Sequence, residues 1–259
     1  HPDRWNPTSG DSRLMIEEPY RWLEAIENRR EYVREQIKEG SPAFAACLDE
    51  GILLLGVGSG SSKVFEVFDR HALVGLGHPA DIERLRQTAI DTVHLEAFLR
   101  APEDVSLRRL VSFGLSPQLK TSFEQIFGSP FLAELLLAEV GTTPEKDLLT
   151  RLHFDGGFEI QSGGVAALAS RREAEEPALR WLTGVLPPGT GRRETAEAML
   201  QAWACLTGPR PFEEAIESVE NRCAWREQIQ GKTVEIGWLA RTSKRPGRYE
   251  SLTLPQLDL

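Results

Sequence analysis

The chain has 259 residues, 41% of them hydrophobic and 27% charged, which is enough for one large domain with a buried core. Its net charge of -9 argues against nucleic acid or an anionic membrane surface as the main partner. No run nears the roughly 18 apolar residues that span a bilayer, so no membrane span is expected.

Residues 1–14 are rich in Pro, Gly, Ser, Asp and Arg and lack periodicity, and they lack the charged, apolar and small-residue order of a leader. Residues 1–18 are therefore expected to form a flexible tail, and 19–259 a single domain. Pro19, after Glu17 and Glu18, suits a helix start. Trp22, Leu23, Ile26, Val33 and Ile37 continue at helical spacing until Gly40 supplies a stop, predicting a helix over 19–39. Ala43 to Leu48 and Ile52 to Val57 read as paired strands hinged at Asp49-Glu50-Gly51. The glycine- and serine-rich stretch from Gly56 to Ser62 reads as a turn, with strands at Lys63 to Val67 and Ala72 to Gly77.

Apolar spacing from Ile82 to Phe98 and from Leu107 to Ile126 predicts two helices, with Asp104 as cap of the second. Strands are expected at Phe131 to Val140, Asp147 to Phe154 and Phe158 to Leu168. Helices follow at Arg171 to Leu186, Thr195 to Leu206 and Pro211 to Ile229. Closing strands fall at Thr233 to Ala240 and Tyr249 to Leu254. Runs of strands flanked by runs of helices predict an α+β sandwich, two sheets face to face with helices outside.

Most of the remaining chemistry-bearing residues read blandly. The five His residues form no metal spacing, and Cys47, Cys205 and Cys223 are scattered, as reduced thiols of a cytoplasmic protein would be. Gly56 to Gly60 lacks the Gly-Lys-Ser/Thr ending of a phosphate loop and leads into a strand. The mixed-charge start Arg171 to Glu176 reads as a solvated helix face.

Five patterns, in order, carry a resemblance. A helix end at Glu31 to Glu39 runs through Gly40-Ser41 into a strand. Lys63-Val64-Phe65-Glu66-Val67-Phe68-Asp69-Arg70-His71 follows, then Gly77-His78-Pro79-Ala80-Asp81. Gln125 to Val140 approaches a strand, and Arg151-Leu152-His153-Phe154-Asp155-Gly156 ends one in an Asp-Gly turn. Together they resemble proteasome subunits of the α type, in their actinobacterial form, over nearly the whole chain from Pro19 onward. The resemblance implies a four-layer αββα sandwich of two antiparallel sheets with an added N-terminal helix. It implies a cytoplasmic heptameric ring of copies of this chain that gates access to β-type protease subunits and docks a ring-shaped ATPase. No cofactor or metal is implied.

Proteolytic members of that fold use an N-terminal Thr tuned by a Lys and an Asp, the usual need of a nucleophile for a base and an orienter. Ser41 falls at the nucleophile's position, Lys63 at the lysine's, and Val57 where the carboxylate would stand. Ser41 would act only after cleavage behind Gly40, and Pro42 follows it directly. A self-processed hydrolase using Ser41 and Lys63 is the competing expectation, and a free-standing interaction domain a third. In α rings the lysine instead receives the terminal carboxylate of an activator's tail, in a pocket that maps to Gly40, Lys63 and His78. His78 departs from the apolar residue usual there. The first helix is expected to meet neighbouring subunits through Tyr20, Trp22 and Ile26. An archaeal-type gate segment is not in register, and the stretch 208–231 is longer than the family's usual last helical region.

Overall fold

The computed structural model describes residues 11–125, 127–244 and 247–259, and for 11–19 the backbone path only. The expected tail over residues 1–10 and the helical position Ile126 lie outside the described residues. Helix α1, Asp11–Ile37, extends further toward the N-terminus than the sequence pattern suggests and ends earlier than Glu39. The Gly40 N–H returns to the Ile37 carbonyl at 2.8 Å and closes it.

Two five-stranded antiparallel sheets form the centre. In the first, β1 (Ala43–Leu48) lies between β2 (Gly51–Gly58) and β8 (Val165–Leu168), and β9 (Thr233–Ala240) and β10 (Tyr249–Leu252) extend the β2 side. The second sheet runs β3 (Val64–Phe68), β4 (His71–Gly77), β5 (Ala133–Glu139), β6 (Leu148–Leu152) and β7 (Phe158–Ser162) in chain order.

Strand side chains alternate between faces, and here both faces are apolar, so each sheet must be covered twice. Ala43, Ala45, Ile52 and Leu54 of the first sheet meet Ala72, Val74, Leu76, Leu136 and Ala138 of the second in a central core. The alternate residues Phe44, Leu53, Leu55 and Val57 pack outward on α5 (Arg172–Val185) and α6 (Arg192–Thr207). On the opposite side Leu73, Leu135 and Leu137 pack on α2 (Pro79–Leu99) and the helical stretch after it. Three stacked apolar cores make four layers, the αββα sandwich. Full burial of one such Leu or Phe stabilises the fold by about 1.5–3 kcal/mol.

Some elements differ from the sequence pattern, each for a local reason. The strand expected over Phe158 to Leu168 is two, β7 and β8, in different sheets. Gly163 and Gly164, at φ of 66° and 79°, make the turn that carries the chain from one sheet to the other. The second helix is capped by Ser106, whose Oγ accepts the Arg109 N–H, and not by Asp104, which sits in a preceding 3₁₀ turn, Pro102–Asp104. That helix is also broken into α3 (Leu107–Arg109), a π-helical turn (Leu110–Leu115) and α4 (Ser116–Glu124). Pro117 has no N–H to continue the α ladder, and the wider turn accommodates it. Pro211 to Ile229 forms three short helices, α7 (Phe212–Glu217), α8 (Val219–Cys223) and α9 (Trp225–Gln228). The first two are joined at Ser218, whose extended backbone ends α7 and whose Oγ caps α8, and the last two at Ala224.

The start of α5 is a solvated face only in part, with Glu173 and Glu176 exposed. Glu175 is buried, accepts the Ala169 N–H at 3.1 Å and pairs with Arg151, while Arg172 pairs with buried Glu134 at 2.8 Å. No described helix is long and apolar enough to cross a membrane.

Candidate functional site

At the end of the sandwich where β1 begins and β2 ends lies an open cleft of about 800 Å³. Its walls come from the close of α1, the β2–β3 loop, the start of α2 and the end of α6. Lys63 enters it from the first position before β3 and is buried. Its backbone is fixed first: the N–H groups of Lys63 and Val64 both donate to the Glu235 carboxylate on β9, at 3.1 and 3.3 Å. The ammonium Nζ then donates to the Ser41 carbonyl at 2.7 Å and, at 3.5 Å, to the Val57 carbonyl. An ammonium carries three donors, so these two carbonyls do not exhaust it. Burial draws its pKa down from 10.5 to about 8, opposed by the charge of Glu235.

Ser41 is oriented from the other side. Its Oγ accepts the indole N–H of Trp203, a buried α6 residue, at 2.8 Å. Lys63 therefore addresses the Ser41 main chain, while the hydroxyl is engaged by Trp203. Val57, in the expected carboxylate position, is a buried apolar residue of the outer core.

Gly40, Ser41, Val57 and Lys63 all line the cleft. His78 does not; its neighbours Gly77 and Pro79 do. The exposed His78 imidazole turns to its own helix, where Nδ1 accepts the Ala80 N–H at 3.3 Å and caps α2. Gly77 takes a φ of 127°, and a Cβ there would stand 2.1 Å from the Leu132 carbonyl oxygen, so this corner admits no side chain. Asp81 completes the corner by accepting the Leu132 N–H at 2.9 Å. Of the expected contact residues on α1, Tyr20 and Trp22 are exposed, whereas Ile26 packs against the central core.

Among curated proteins, the chain is 31% identical over 206 residues to a proteasome subunit alpha of Actinosynnema mirum, covering 72% of this chain and 78% of that relative. It is 30% identical over 237 residues to a proteasome subunit alpha of Streptomyces scabiei, covering 91% of this chain and 88% of that relative. The chain belongs to the proteasome α-subunit family. No family model matches it.

In this family member, three residues that build or support the cleft escaped sequence reading: Trp203 and Arg171 line it, and Glu235 holds the Lys63 backbone from behind. Glu235 and Trp203 lie 172 and 162 positions from the residues they hold, and no local pattern announces such pairs. Arg171, just before α5, also borders the cleft, its guanidinium donating to the carbonyls of Leu206 and Gly208 at 2.8 and 3.1 Å. A lone Arg at a helix start gives no signal that it faces a cavity.

Proposed function

We propose that this chain is a non-catalytic ring subunit of a bacterial proteasome core, acting in the cytoplasm. In this reading it forms a heptameric ring with copies of itself, stacks on β-type protease subunits and gates substrate access. An activator, such as a ring-shaped ATPase, docks by inserting its C-terminal tail into the Lys63 cleft. The observation that carries the reading is the state of Lys63. Its ammonium is buried at the cleft wall on two carbonyl oxygens and, among the described residues, on no carboxylate. A terminal carboxylate would supply the missing anion, and charge-assisted bonds of that kind are about twice as strong as neutral ones.

Gly40 and Gly77 line the cleft, and His78 stands between the lining residues Gly77 and Pro79. Stacking is favoured by an exposed apolar group at the end of α2, Leu95, Phe98 and Leu99. Apolar clusters on a surface mark association sites. The absence of a carboxylate at Val57 and the engagement of the Ser41 hydroxyl by Trp203 favour a ring component over a hydrolase.

Lys63→Ala is expected to leave ring assembly intact and to abolish stimulation by an activator with a free C-terminus. Unchanged stimulation would sink the docking role. Native mass spectrometry with a β-type partner tests the ring itself: uncut chains in a multi-ring complex are expected. A chain beginning at Ser41 would instead establish the self-processed hydrolase, and a persistent monomer the interaction domain.

A further inference from the structure

The charge of the cleft is opposite to that of the molecule. The chain as a whole carries -9. Among the described residues the cleft lining carries Lys38, Lys63, Arg171 and Lys232 against one carboxylate, Glu39, with Glu235 lying behind Lys63 and not in the lining. Lys38 is partly answered outside the cleft by Glu35 at 3.4 Å. Arg171 and Lys232 are different. Arg171 is anchored on the end of α6 through the Leu206 and Gly208 carbonyls, which spend donors but cancel no full charge. Gln228 meets the same helix end at Thr207 Oγ1, 3.3 Å away, and the chain then turns through the Lys232 N–H to the Ile229 carbonyl at 2.9 Å. Two cations are thereby gathered near the close of α6, apart from Lys63, whose contacts are to Ser41 and Val57.

A single terminal carboxylate would neutralise Lys63 and leave this second group of charges facing the ligand. Concave surfaces lined by one sign of charge concentrate the field and favour ligands of the opposite sign. We infer that the cleft selects peptide tails bearing a second anion, an acidic side chain within the last few residues that meets Arg171 and Lys232 while the C-terminus meets Lys63. This rests on the docking of a carboxylate at Lys63 and adds a specificity element to it. The hydroxyls of Ser59, Ser61 and Ser62, exposed along the β2–β3 loop, add neutral donors to the same wall.

The test uses the full chain and fluorescein-labelled Gly/Ser peptides ending in Ala-Leu with a free carboxylate. One Gln, or one Glu, occupies in turn each of the four positions before that ending, and every peptide is also made as the C-terminal amide. Anisotropy titrations are expected to show Glu binding roughly three- to tenfold tighter than Gln at one of these positions. The gain should shrink in about 0.5 M NaCl, where the Debye length falls to a few ångströms. It should also shrink in Arg171→Gln and in Lys232→Gln. The latter side chain is exposed, so that variant keeps the test open should loss of Arg171 loosen α6. Equal binding of Glu and Gln peptides at every position, with acids still exceeding amides, would overturn the second-anion site and leave Lys63 docking standing. A Glu advantage undiminished in both variants would also overturn it. Acids binding no better than amides would remove the docking reading, and this inference with it.

Discussion

Lys63 is the residue whose chemistry depends most on its setting. Burial lowers its pKa to about 8, so the charge that would bind a carboxylate is lost within two units of neutrality. The sign follows directly. A lysine whose folded pKa lies below its ordinary value binds its proton less tightly than the unfolded chain does. Its cost to stability is therefore full below pH 8 and fades as pH rises toward 10.5. Ligand binding runs the other way, because the carboxylate needs the ammonium. Affinity for a free-carboxylate peptide should hold from about pH 6.5 to 8 and fall up to tenfold per unit above that. Isothermal titration across this span checks it, and a flat profile would mean that another group holds the carboxylate. Gly77 offers a second test at this scale. Gly77→Ala places a Cβ against the Leu132 carbonyl in a left-handed conformation and should cost about 2–4 kcal/mol, read from a shifted denaturation midpoint. Lys63 and Gly40 were legible in the sequence because short motifs surround them. Glu235, Trp203 and Arg171 were not, because their roles arise only when distant segments meet.

At the scale of elements, β9 clamps the sandwich at both ends. At its start, Glu235 in the first sheet accepts the N–H groups of Lys63 and Val64, where β3 of the second sheet begins. Just past its end, Arg241 makes a bidentate pair with buried Asp147, ahead of β6, at 2.6 and 2.8 Å. The same guanidinium holds the carbonyls of Leu48, Asp49 and Gly141. Removing one partner of a buried pair strands the other charge, so Arg241→Ala should cost about 3–5 kcal/mol. Glu235→Ala, which leaves two N–H groups unanswered in a half-buried place, should cost about 1–3 kcal/mol. The two are distinguishable by function: only Glu235→Ala should weaken peptide binding at the cleft, since it alone releases Lys63. Urea denaturation with peptide titration on both variants checks this, and equal loss of binding in both would contradict it. The succession of strands along the chain was readable because strands covered on both faces are continuous apolar runs, and α2, α5 and α6 because their apolar residues keep helical spacing. The interruptions were harder to read, since Gly163-Gly164, Pro117 and Ser218 act only where the chain changes sheet or direction.

On the whole molecule, the exposed apolar residues include two groups on helices that a lone chain in water would leave unprotected, beside scattered ones such as Phe127, Phe158, Val185 and Val219. One lies on α1, with Tyr20, Trp22 and Leu23; the other at the end of α2, with Leu95, Phe98 and Leu99. A ring built from identical subunits needs two different complementary surfaces on each copy, and stacking on a second ring needs a third. Separate apolar groups on separate helices fit a division of labour, with α1 serving neighbours in the ring and α2 serving the stacked partner. Charge substitutions at exposed positions leave the three cores untouched, so folding should survive within about 0.5 kcal/mol. A Tyr20→Glu, Leu23→Glu variant should then fail to form rings with itself or with a β-type partner. A Leu95→Glu, Phe98→Glu variant should keep whatever ring it forms alone and lose the stacked complex. Native mass spectrometry of each variant, with and without the β-type partner, reads both outcomes together. Stacking that persists in the α2 variant would move the second interface elsewhere, and rings that persist in the α1 variant would free that helix for the activator side.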